Sequence, residues 1–168
     1  MHTVQTHETK YDISPKRLKE GSIFGALSAN AIQYLLDHGT IHEAKKGDEV
    51  FHYQDKGESF FAVLHGSLDF FKQHHHKELH TRDIEFGEAL GFVSMIALHD
   101  RVGTAYAKED SLLLEVSSTL FSDFHDQYPF DFGILLMNLA RDMARNIREL
   151  SNALVSHEIE NKLEENKP

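Results

Sequence analysis

Gly87-Glu88-Ala89-Leu90-Gly91-Phe92-Val93-Ser94-Met95-Ile96-Ala97-Leu98-His99-Asp100-Arg101-Val102-Gly103-Thr104 is the stretch that decides the fold. A glycine turn leads into an apolar run long enough for one helical turn. An arginine then opens a strand of small residues. A helix N-terminus presents unpaired backbone N–H groups and the positive end of a dipole. An arginine folded back onto that end adds a planar donor fork suited to phosphate. The same residues admit a plainer reading, a surface ion pair between Arg101 and Asp100, and such pairs contribute little.

On either side of this stretch the pattern is strand-like. Residues 41–44, 49–53, 59–64, 67–72 and 78–84 precede it, and 103–107 and 112–116 follow it. Turn glycines at Gly47, Gly57 and Gly66 punctuate the run at the spacing of a β-sandwich or barrel. The sum is about eight short strands in an antiparallel roll. Helices flank it. Ser28 suits the N-cap of a helix over residues 29–38, which Gly39 ends. Ser14-Pro15 suits the start of a short helix, because proline fits a first helical turn. Ser117 or Ser118 caps a helix over 120–125, and Tyr128-Pro129 breaks it. A long helix then runs from near residue 130 to near 161. Leu136, Leu139, Met143, Leu150 and Leu154 recur along it at three- and four-residue steps, and Asn146 interrupts the seam. One buried asparagine can set register in a paired helix, so this face predicts a homodimer; the plainer alternative is packing on the roll. The expected fold class is therefore mainly β with flanking helices. A polar N-terminal segment (1–21), mobile over residues 1–13, precedes a jelly roll (22–127) and a long C-terminal helix (128–163).

Composition narrows the function classes. The chain has 168 residues, 40% of them hydrophobic, and no cysteine. That excludes disulfides, cysteine-ligated metal and a thiol nucleophile. A formal charge of −10, with no basic stripe, argues against DNA binding. No stretch approaches the ~20 apolar residues of a membrane span, and residues 1–20 lack the apolar core of a signal peptide. The expected location is the cytoplasm, with no membrane partner.

The order of elements resembles the cyclic nucleotide-binding domain of the catabolite activator proteins and of protein kinase A regulatory subunits. The likeness covers residues 22–156. Lys46-Gly47-Asp48-Glu49, Asp55-Lys56-Gly57-Glu58, Val63-Leu64-His65-Gly66-Ser67 and Phe86-Gly87-Glu88-Ala89-Leu90-Gly91 follow that family's glycine rhythm, and Leu136 to Ile147 looks like the activators' dimer helix. The resemblance implies a phosphate cassette in which Arg101 takes a cyclic phosphate. Gly91, Phe92, Val93, Ser94 and Val102 stand around it, and Thr104 meets the phosphate or the base. The family's ribose-binding glutamate falls on Phe92 when Gly91 is aligned ten residues before Arg101, and on Glu88 in a second alignment; the first is preferred for its spacing. Ser151 matches the serine of a base-contacting Thr-Ser pair, with Leu150 in place of the threonine.

The implied guest is cAMP, cGMP or a related anion. No cofactor, metal or catalytic residue is expected. A cyclic dinucleotide is a further possibility, with Arg101 and Arg82 carrying its charge. The His74-His75-His76 run, with His80 nearby, reads as a solvated turn in preference to a metal or haem site. No phosphate loop, zinc-protease pair or nucleophile elbow is present. No helix-turn-helix follows the long helix, so the expected output is through another signalling protein. The competing expectation, prompted by Phe92, is a ligand-free dimeric scaffold.

Overall fold

The computed structural model describes residues 1–75 and 77–165, with side chains to His157. Among the described residues, nine strands form two antiparallel sheets. The first sheet has the order β1-β2-β9-β4-β7, from β1 (His2–Val4), β2 (Thr40–Ala44), β9 (Ser111–Ser117), β4 (Ser59–His65) and β7 (Ala89–Leu90). The second has the order β3-β8-β5-β6, from β3 (Glu49–Phe51), β8 (Gly103–Ala107), β5 (Leu68–His74) and β6 (Lys77–Ile84).

The central pair β4 and β9 explains why its sequence is apolar without alternation. Phe60, Ala62 and Leu64 face a core shared with the helices, while Phe61 and Val63 face the second sheet. A strand covered on both faces needs no polar side. The helical core gathers Ile32 and Leu35 from α2 (Ala29–His38), Phe124 from α4 (Ser118–Gln127), and Leu135 and Leu139 from α5 (Pro129–Glu165). Ser28 caps α2 through its Oγ, which accepts from the Ala31 N–H at 3.2 Å, and Ser117 caps α4 in the same way at 3.1 Å. Leu18, at the end of α1 (Pro15–Leu18), is fully buried.

The N-terminal segment departs from expectation. Residues 1–13 read as polar and mobile, yet β1 pairs with β2, with Thr3 opposite His42 and Val4 opposite Ile41. The Met1 ammonium lies 2.7 Å from the Asp48 carboxylate. The reason is non-local. Without β1, the outer edge of β2 would carry unpaired N–H and C=O groups.

Helix α5 is tied to the roll over its first half. The Asp131 carboxylate accepts from Ser28 N at 2.6 Å and from Ser28 Oγ at 3.1 Å. Asn138 Nδ2 donates to the carbonyls of Ile23 and Gly25. The Asp142 carboxylate accepts from Ser22 Oγ at 3.0 Å and also pairs with Arg145. Further along, Ile147, Leu150, Leu154 and Val155 are exposed. Among the described residues, no helix is long and apolar enough to cross a membrane.

Candidate functional site

The cassette is built where β7 meets α3 (Phe92–Ile96). Gly91 turns the chain at φ +88°, and a side chain there would collide with the Arg101 guanidinium. Glycine is needed at this point for both conformation and space. Arg101 lies just before β8, held by its backbone: its N–H donates to Asp55 O at 2.8 Å and its carbonyl accepts from Gln54 N at 2.9 Å. The side chain then runs inward. Nη1 donates to Gly91 O at 2.9 Å, and Nη2 donates to Ser59 Oγ at 3.1 Å. The guanidinium carbon stands 4.5 Å from the centre of the Phe51 ring. Arg101 is only 3% exposed, and its Nε has no partner. Burial pulls its pKa below the usual guanidinium value, against the fields of Glu115 and Asp55.

A polar chain continues behind it. His42 Nε2 lies 2.8 Å from Glu115 Oε2. The His42 hydrogen bond holds the Glu115 carboxyl below the ordinary glutamate range, helped by Ser59 and Arg101 and opposed by burial. Arg101 thus belongs to a network inside the roll.

In front of the cassette lies a cavity of about 540 Å³. The four-stranded sheet contributes Phe51, Phe70, Lys72, Thr81 and Arg82; the cassette contributes Leu90, Gly91, Phe92, Val93 and Ser94, with Val102 beside them. Helix α5 covers it with Leu139, Asp142, Met143, Asn146, Glu149 and Leu150. The walls are mainly hydrocarbon and aromatic. Arg82 stands directly opposite Phe70 in the β5–β6 pair. It is half-buried, and burial lowers its pKa against the fields of Glu88 and Glu149.

The residues singled out from sequence therefore separate. Gly91, Phe92, Val93, Ser94 and Val102 reach the cavity wall, whereas Arg101, Thr104, Glu88 and Ser151 are not among its lining residues. Thr104 is fully buried, and its Oγ1 accepts from Tyr53 N at 3.1 Å. The Glu88 carboxylate accepts from Glu85 N at 2.8 Å and closes a turn. Ser151 is exposed and donates to Ile147 O. Phe92 packs edge-on against Phe60 and Phe121, with ring centres 5.8 and 6.1 Å away. Of the seam residues, Leu139 and Met143 face the roll, and Asn146 and the partly exposed Leu150 line the cavity; Leu136 and Leu154 are exposed. Leu139 and Met143 turn inward because the bonds of Asp131, Asn138 and Asp142 press this half of α5 against the segment before α2. His74 and His75 are exposed at the β5–β6 turn, and His76 lies outside the described residues. His80 instead meets Asp69 and Asp83 at 3.3 and 2.9 Å. The cavity's own cations were the harder part to foresee. Sequence pattern alone does not single out Lys72, and it gives Arg82 only a role beside Arg101; the signal that marks the wall is that Phe70 and Lys72 share one face of β5.

The pattern known as the cyclic nucleotide-binding domain matches residues 41–128 of the chain. The chain belongs to the cyclic nucleotide-binding domain family. Similar solved structures agree on the fold. A cyclic nucleotide-binding domain from Methylobacillus flagellatus superposes with a TM-score of 0.74 at 16% identity, covering 86% of this chain and 82% of that one. The catabolite activator protein of Thermus thermophilus gives 0.68 at 24% identity, covering 81% of this chain and 63% of that one. The regulatory subunit of a cAMP-independent protein kinase A from Trypanosoma cruzi, bound to guanosine, gives 0.66 at 16% identity. That match covers 84% of this chain and 49% of the trypanosomal one. No curated protein sequence matches the chain significantly.

Proposed function

We propose that this chain is a ligand-sensing regulatory domain, without catalytic activity, in which a small anionic guest occupies the cavity beneath α5 and the helix reports its presence. The observation that carries the reading is the shared wall. Leu139, Met143, Asn146 and Leu150 of α5 face the same space of about 540 Å³ as the sheet and the cassette. A guest there touches both the roll and the helix, and so shifts the balance between packings of α5. The volume lies within the usual range for small-molecule sites, roughly 300–1,000 Å³. The exposed Leu136, Ile147 and Leu154 suit pairing with a second copy, and a further signalling protein in the cytoplasm would receive the change.

cAMP and cGMP are the guests the family suggests. Their phosphate would have to draw Arg101 away from Gly91 O and Ser59 Oγ, and their ribose would meet Phe92. Those same contacts favour a second reading, a ligand-free scaffold with a permanently closed cassette. Amide hydrogen exchange across residues 139–153 separates the two. Sensing predicts that cAMP, cGMP or a simple organic anion such as decanoate slows exchange in this segment by about threefold or more. A scaffold predicts no change with any of them.

A further inference from the structure

Resting on that reading, we infer that the guest is an anion with an apolar body and no sugar, its head held by Arg82 and Lys72 on the sheet wall. Arg101, the cation nearest the cassette, is already committed to Gly91 O, Ser59 Oγ and the Phe51 ring, and the cavity wall does not include it. Arg82 is the reverse case. It lines the cavity, it is half-buried, and among the described residues no hydrogen bond or ion pair engages its side chain. Its opposite charges, Glu88 and Glu149, act on it through space. Lys72 lines the same wall, two residues along β5 from Phe70. A half-desolvated guanidinium facing a cavity calls for an anion.

The remaining wall defines the body of the guest. Phe51, Phe70, Leu90, Phe92, Leu139 and Met143 offer hydrocarbon and ring faces. Phe92 cannot accept a hydrogen bond, so a sugar hydroxyl placed against it would be unsatisfied. Asp142 is already shared by Ser22 and Arg145. Glu149 of α5 lines the same cavity and repels an anion, which places the head on the sheet side with Arg82 and Lys72. An alkyl or aryl carboxylate or phosphate ester suits these walls, whereas a cyclic nucleotide must either set its ribose against Phe92 or turn it toward Thr81, Ser94 or Asn146.

Titration calorimetry on the full chain tests the assignment with decanoate, decyl phosphate, decanol and cAMP. The expected result is binding of at least one of the two anions, with decanol weaker by about tenfold or more. Affinity should rise by about two- to fourfold per methylene from octanoate to decanoate. Arg82→Gln should weaken the anion by about tenfold or more while urea unfolding is unchanged. Preference for decanoate or for decyl phosphate identifies the head as carboxylate or phosphate. Anion binding no tighter than decanol, or binding indifferent to Arg82→Gln and Lys72→Gln, overturns the inference. If cAMP alone binds and slows exchange in α5, the inference falls and the sensing reading stands. If nothing binds, both fall.

Discussion

Arg101 and Arg82 lie on the same roll, yet one gives both arms of its fork to the protein and the other gives neither. Arg101 sits 3% exposed among Gly91 O, Ser59 Oγ and Phe51. Taking a guanidinium out of water costs several kcal/mol, and those contacts offset the cost. Arg82 faces a cavity with mainly hydrocarbon walls, and its side chain has no bonded partner among the described residues. The contrast teaches that position in a family pattern and availability to a ligand are separate properties. A side chain is free for a guest only if the fold has not already satisfied it.

The contrast breaks most readily at Arg101. Arg101→Met should lower the unfolding free energy by about 2–4 kcal/mol, since it strands Gly91 O and Ser59 and removes a cation from the Phe51 ring. A loss in urea denaturation below about 0.5 kcal/mol would mean that Arg101 is not structural. At the other arginine, Arg82→Gln should leave unfolding within about 0.5 kcal/mol of the parent and cut affinity for a bound alkyl anion by about tenfold, or about 1.4 kcal/mol. Equal effects of the two substitutions on both readouts would erase the distinction. Ser59→Ala sharpens it, because removing one acceptor of the Arg101 fork should cost about 1 kcal/mol of stability without changing ligand affinity. Smaller still, Glu149→Gln should tighten anion binding by about two- to threefold, as removal of a like charge at a largely solvated site contributes only a few tenths of a kcal/mol.

The mildest test uses pH. The Glu115 carboxyl is held below its ordinary value of 4.5, chiefly by His42. A depressed carboxyl contributes stability above its unfolded pKa and loses it as pH falls through the folded one. Stability should therefore decline as pH drops below about 4.5, and His42→Ala should flatten part of that decline. An unchanged acid limb in His42→Ala would remove His42 as the cause.

Local chemistry made part of this molecule legible in its sequence. Ser28 and Gly39 bracket α2 because capping depends on neighbours a few residues away. Gly91 and the turn of helix after it were readable for the same reason. What escaped was non-local. The triplet His2-Thr3-Val4 has no strong strand pattern, and its place follows from the edge it covers on β2. Arg101 was found, but its partners Ser59 and Phe51 lie 42 and 50 positions away. The spacing of Leu139 and Met143 reported that they share a helix face, and it could not report that the roll covers that face. Arg82 is hard to place from sequence because β6 alternates weakly and a register shift at Phe70/Phe71 changes which residues face inward.

The most direct measurement is NMR of the arginine side-chain N–H groups during titration with decanoate. The account predicts that the Arg82 signal moves with saturation while the buried Arg101 signal stays in place. Movement of Arg101 with Arg82 unaffected would contradict it.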